Sequence, residues 1–198
     1  SCSISAGTVA ARAARGIAAC RAAGGVAAGL ADPGCAGRDR LSGGAVSGHA
    51  TEEVERALAL VDRGTIVADA SSLILAASEN PGGTEARAAR ALAAIASRLG
   101  GRVHVEDAAP DRPNVSVRFG PDDEATGGAG LLFLGHSDVV PAGPGWTLDP
   151  FAPTVVDGTL VGRGSTDMKG GLAAVLQALA AVHRIRPDLP LELLVTAD

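Results

Sequence analysis

The sequence predicts an α/β fold built around a parallel strand–helix–strand unit. Two observations lead there. Leu131 to Gly135 and Leu191 to Val195 are short apolar runs of the kind that form buried strands. Between them Leu172, Val175, Leu176, Leu179 and Val182 recur at helical spacing and form a continuous apolar stripe. A strand, a crossover helix and a second strand make a right-handed unit with parallel strands. In such sheets ligands gather at the carboxyl ends of strands. Here those ends carry His136 and Ala197-Asp198.

The remaining elements follow in chain order. Thr51 to about Asp62 has Val54, Leu58 and Val61 at helical spacing, with Thr51 as a candidate N-cap. Gly64 interrupts that pattern, and Ile66 to Ala77 continues as a second helix. Ser78-Glu79-Asn80-Pro81-Gly82-Gly83 is a loop by its turn chemistry. Thr84 can cap a third helix, whose face is Ala88, Leu92, Ile95 and Leu99 and whose stop is Gly100-Gly101. Arg102 to Glu106 and Asn114 to Phe119 alternate apolar and polar residues, as half-buried strands do, and His104 falls on the polar side. Asp122 to Gly130 reads as a solvated acidic turn. Asp157-Gly158 joins Thr154-Val155-Val156 to Thr159-Leu160-Val161 as a two-residue hairpin. His183 falls near the C-terminus of the long helix, where a cation suits the helix dipole.

Composition divides the chain. Residues 1–50 hold 15 Ala and 10 Gly, so they bury little and are expected to be disordered or loosely helical. They carry five Arg against two Asp, whereas residues 51–198 carry 12 basic against 20 acidic residues. An acidic domain with three Phe, one Trp and no Tyr argues against a nucleic-acid partner. Cys2, Cys20 and Cys35 are odd in number and form no Cys-x-x-Cys, so no disulfide framework or cysteine metal site is implied. Arg12 and Arg15 give the N-terminus a faint likeness to a signal peptide, but Arg21 interrupts the apolar region that one needs. No apolar window is long enough to span a membrane.

The chemistry-bearing residues cluster between the two buried strands. His136 and Asp138 follow the first strand two residues apart, so an extended backbone would aim them to one side. Asp167 stands just ahead of the long helix, where the positive end of the dipole keeps a carboxylate ionised. Imidazole and carboxylate are ligand types that zinc takes in catalytic sites. Each residue also has a plainer reading. His136 could be structural, Asp138 a turn former and Asp167 a helix N-cap. A phosphate cradle fits poorly. Lys169 precedes Gly170, unlike a P-loop lysine, and Gly162-Arg163-Gly164-Ser165-Thr166-Asp167 has Asp where the dinucleotide fingerprint needs Gly.

Gly135-His136-Ser137-Asp138-Val139-Val140-Pro141, Trp146, Asp149-Pro150-Phe151, Asp157-Gly158, Gly162-Arg163-Gly164 and Asp167-Met168-Lys169-Gly170-Gly171 occur in order over about forty residues. This stretch resembles the metal-binding core of the co-catalytic zinc peptidase and amidohydrolase family of acetylornithine deacetylase, succinyl-diaminopimelate desuccinylase, aminoacylase and carboxypeptidase G. The resemblance extends more weakly from about Ile66 to Asp198. It implies a three-layer, zinc-peptidase-like catalytic domain with a mixed, centrally parallel sheet. It further implies His136 as a zinc ligand, Asp167 as a carboxylate bridging two zinc ions (Co or Mn being alternatives), and Asp138 as the catalytic residue that orients a ligand imidazole. The peptide after Asp167 is expected to be cis, and the loop at residues 78–83 resembles one on the family's substrate side.

The family's general base and remaining ligands would follow the strand ending at Ala197-Asp198. Residues 51–198 are therefore expected to be a truncated, N-terminal part of the domain, without the lid or dimerisation domain. Asp198 is an unproven substitute ligand. The implied reaction is hydrolysis of an amide or peptide bond in an N-acyl amino acid or small peptide, in the cytoplasm, by a protein expected to form homodimers when complete. The stretch alone is expected to be inactive and to expose a strand edge beside Leu191 to Val195. The alternative is a non-catalytic fragment or binding module that keeps the fold.

Overall fold

The computed structural model describes residues 48–122 and 130–197. The expectations for residues 1–47, including the three cysteines, for 123–129 and for Asp198 lie outside the described residues. Three helices come first. α1 (Gly48–Ala59) starts upstream of Thr51, so Thr51 lies within the helix and does not cap it. α2 (Arg63–Leu75) starts earlier than Ile66 because Asp62 caps it. The Asp62 carboxylate accepts from the Thr65 N–H and the Thr65 hydroxyl, both at 2.7 Å. That cap tolerates Gly64 in the first turn. α3 (Ala86–Arg98) has its first N–H held by the Thr84 hydroxyl at 3.1 Å. It stops at Gly100, whose φ of 89° suits a residue without a Cβ.

β1 (Arg102–Ala109) and β2 (Arg112–Phe119) form a hairpin longer than the alternation predicted. β1 is an edge strand, so Val105 is exposed and only Val103 packs on the core. His104 is exposed, as expected. Asp122 is ion-paired with Arg102 at 2.8 Å rather than merely solvated. β3 (Leu131–His136) follows, then the hairpin of β4 (Thr154–Val156) and β5 (Thr159–Val161). Asp157 and Gly158 both have positive φ, 48° and 75°, as the tight two-residue turn requires. α4 (Lys169–Ile185) starts three residues before Leu172, and β6 (Leu191–Thr196) ends the order.

The main sheet runs β1-β2-β6-β3. It is mixed: β2 pairs β6 antiparallel, while β3 pairs β6 in parallel from Leu131↔Leu191 to His136↔Thr196. β6 therefore has neighbours on both sides, and the edge expected beside Leu191 to Val195 is closed by Val115 to Phe119. Among the described residues the open edges are β1 and β3.

The four helices among the described residues lie on one face of the sheet. Val115, Val117, Phe119, Leu191, Leu193 and Val195 from the sheet meet Leu92, Ile95, Leu172, Leu176 and Leu179 from α3 and α4 in one buried cluster. Asp69 pins the helices together: its carboxylate takes Gln177 at 3.0 Å and Arg98 at 2.5 Å. A buried carboxylate costs heavily unless paired, and this one is paired twice. Among the described residues no helix is long and apolar enough to cross a membrane.

Candidate metal centre

The site forms where β3 ends and α4 begins. Leu131, Phe133 and Gly135 face the helices, so the alternation turns Leu132, Leu134 and His136 the other way. Gly135 has no room for a Cβ, which would stand 2.8 Å from Leu172 and 3.1 Å from Met168. That close approach brings the end of β3 against the start of α4. The His136 N–H points at the Met168 sulfur, 3.4 Å away.

His136 meets a carboxylate at each ring nitrogen. Nδ1 lies 3.0 Å from Asp138 Oδ1, and Nε2 lies 3.1 Å from Asp167 Oδ1. Asp138 is largely sheltered, whereas the Asp167 side chain is 83% exposed. Partial burial alone would lower the imidazole pKa. The Asp167 hydrogen bond, followed by the charge and hydrogen bond of Asp138, outweighs it, and the pKa is raised. The helix N-cap position belongs to Met168, and Asp167 remains free to face His136. The Asp167–Met168 peptide is cis, as is Asn80–Pro81.

Two side chains that sequence reasoning passed over hold this arrangement from behind. Lys169 is almost fully buried and its ammonium donates to Leu73 O at 2.8 Å. Burial lowers its pKa to about 8, against the opposing charge of Asp138. Glu79 accepts from the Ala142 N–H at 2.9 Å. The residue-78–83 loop runs beside the segment after His136. The Ser78 hydroxyl donates to Ser137 O at 2.6 Å, Val139 N–H donates to Ser78 O, and Asn80 N–H donates to Val139 O. Turn chemistry identifies that loop but carries no signal for its partner. A cleft of about 740 Å³ opens beside Asp167, between Trp146 and the residues from Thr159 to Thr166.

The donor chemistry fits a divalent cation. A neutral His136 that donates from Nδ1 to Asp138 leaves its Nε2 lone pair opposite an Asp167 oxygen, so two acceptors face each other. Only a proton or a cation reconciles them. Carboxylate, histidine and metal in line is the usual way a ligand imidazole is oriented. Among the described residues no group of three or more His, Cys, Asp and Glu is placed to hold a metal, so His136 and Asp167 are a pair of donors rather than a full set.

The Peptidase family M20/M25/M40 profile matches residues 132–198, which contain all three of these residues. Over those residues the chain is similar to this family. Succinyl-diaminopimelate desuccinylase of Methylobacterium radiotolerans is 46% identical over 100 residues, covering 48% of this chain and 24% of that protein. The same enzyme of Zymomonas mobilis is 52% identical over 68 residues, 34% of this chain and 18% of that one. The chain thus spans about a quarter of the length of such relatives. Among solved structures, human carnosine dipeptidase 1 aligns with a TM-score of 0.55 and 27% identity over 66% of this chain and 31% of that one. A tripeptidase from Staphylococcus aureus shares the fold, with a TM-score of 0.50 and 19% identity over 70% of this chain and 37% of that one.

Proposed function

We propose that residues 51–198 are the N-terminal part of the catalytic domain of a zinc-dependent hydrolase that cleaves an amide bond in an N-acyl amino acid or small peptide. The observation that carries this reading is the imidazole held between two carboxylates. Its inner partner is sheltered and its outer partner is open to solvent. The family match supports the hydrolase class.

His136 Nε2 and the solvent-exposed Asp167 carboxylate would hold metal, and Asp167 is the residue that the family resemblance implies would bridge two ions. Zinc, when bound, supplies Lewis acidity toward a water and an amide carbonyl. Asp138 keeps the imidazole in the tautomer that presents Nε2, and it stabilises positive charge on the ring. The cleft beside Trp146 would receive the substrate next to Asp167. Water adds across the C–N bond, giving a carboxylic acid and a free amine. The general base would come from residues after Asp198. Cytoplasmic location and homodimer formation belong to the same reading of the complete protein.

The test compares this 198-residue stretch with a chain extended through the missing ligands, each with added zinc, on a panel of N-acyl amino acids that includes N-succinyl substrates. Turnover is expected only in the extended chain. It should fall by orders of magnitude in His136→Ala and Asp167→Ala, since each removes a donor that no neighbour replaces. Unchanged turnover in those variants would overturn the assignment.

A further inference from the structure

Ala142 has every backbone hydrogen-bonding group engaged by a side chain. Its carbonyl accepts from Arg163 Nη2 at 2.9 Å and from the Trp146 indole N–H at 2.8 Å. Its N–H donates to Glu79. Arg163 Nη2 also reaches Pro141 O at 3.1 Å, and the guanidinium lies over the Trp146 ring, 5.3 Å from the centroid. The backbone N–H of Arg163 donates to Pro150 O at 2.7 Å. One residue therefore fastens both ends of the Pro141–Pro150 loop.

Position gives this fastening its significance. Ala142 lies four residues after Asp138, and Arg163 lies four residues before Asp167. Between Arg163 and α4 the chain turns tightly, with Ser165 N–H on Gly162 O and Lys169 N–H on Gly164 O. Little slack remains between Arg163 and Asp167. The other direct ties between the two arms among the described hydrogen bonds are the His136–Asp167 contact itself and His136 N–H on the Met168 sulfur, a weak acceptor.

We propose that Arg163 is a positioning residue that sets the spacing of His136 and Asp167, by gripping the loop that leaves Asp138 from the segment that carries Asp167. The proposal rests on the metal reading given above. Arg163 Nη2 holds both carbonyls while the planar guanidinium lies on the indole, and a lysine ammonium, a compact point charge on a flexible stem, does not reproduce that pre-organised stacked geometry. Arg163→Lys therefore keeps the charge and removes the geometry. A purely structural arginine would lower stability and leave metal affinity alone.

The experiment measures zinc affinity of the 198-residue chain by competition with a chromophoric chelator, the visible spectrum of bound cobalt, and the thermal midpoint of the metal-free chain. The variants are Arg163→Lys, Trp146→Phe and His136→Ala, with His104→Ala as an exposed control. Partners that orient ligands typically contribute 10- to 100-fold to metal affinity. Arg163→Lys is expected to lose roughly tenfold and to change the cobalt spectrum, with the metal-free midpoint nearly kept. Trp146→Phe keeps an aromatic ring and removes one donor from Ala142, and is expected to weaken zinc affinity by less than Arg163→Lys does. If Arg163→Lys does not fold, Trp146→Phe decides. Parental affinity in these variants, with binding still lost in His136→Ala, would overturn the positioning role and leave the metal reading standing. Binding that His136→Ala does not weaken would overturn both.

Discussion

The two faces of β3 do different work. Leu131, Phe133 and Gly135 pack toward α4, and the same face of β6 supplies Leu191, Leu193 and Val195 to the core. On the opposite face Leu132 and Leu134 are exposed, 56% and 66%, and the row ends in His136. Stability is concentrated where helices cover the sheet, and chemistry is placed where they do not. A strand of period two lets one six-residue segment serve both purposes, because each substitution acts on one face only.

The largest expected effect sharpens that contrast. Leu193→Ala removes a side chain that is 1% exposed, and should cost about 2–5 kcal/mol in urea denaturation. Leu134→Ala should change stability by less than about 0.5 kcal/mol, as surface substitutions do. A Leu134 penalty matching that of Leu193 would mean that the second face is covered in solution and would end the comparison.

Gly170→Ala crosses from one face to the other. A Cβ there would stand 2.3 Å from the Ser165 carbonyl oxygen, so backbone must shift just ahead of Asp167. Overpacking of this kind costs about 1–3 kcal/mol. It should also weaken zinc binding, which Leu193→Ala should not do at temperatures where that variant is folded. Isothermal titration calorimetry on the two variants checks this.

The smallest effect is a pH dependence of the metal-free chain. The folded pKa of His136 is raised, so its contribution to stability is complete below about 6.5 and is lost as pH rises through the folded value. The folded pKa of Lys169 is lowered to about 8 from 10.5, so the folded state sheds its proton first and stability rises again above about pH 8. The thermal midpoint should therefore dip in weakly alkaline buffer. His136→Ala should flatten the descending limb and Lys169→Met the ascending one. A profile that His136→Ala leaves unchanged would show that the imidazole gains nothing from Asp138 and Asp167.

Much of this arrangement was legible in the sequence. Short apolar runs and one helical stripe place β3, α4 and β6, because periodicity reports which face is buried. The motif from Gly135 to Gly171 singles out His136, Asp138 and Asp167, and the fold brings them within hydrogen-bond distance of one another through the His136 ring. Strand partners were less visible: nothing local told that Val115 to Phe119 closes one side of β6, since pairing depends on distant residues. The start of α2 moved because Asp62 caps it ahead of Gly64. The supports at Glu79, Arg163 and Lys169 were hidden because their partners are backbone groups, which any residue type provides.

Whether His136 and Asp167 hold a metal is tested most directly by anomalous diffraction at the zinc edge, on crystals of the chain grown with zinc. An ion is expected within about 2.0–2.2 Å of both His136 Nε2 and an Asp167 oxygen, and its peak should vanish in Asp167→Asn. Zinc peaks confined to other residues, with the His136–Asp167 contact intact and no ion beside it, would contradict the assignment.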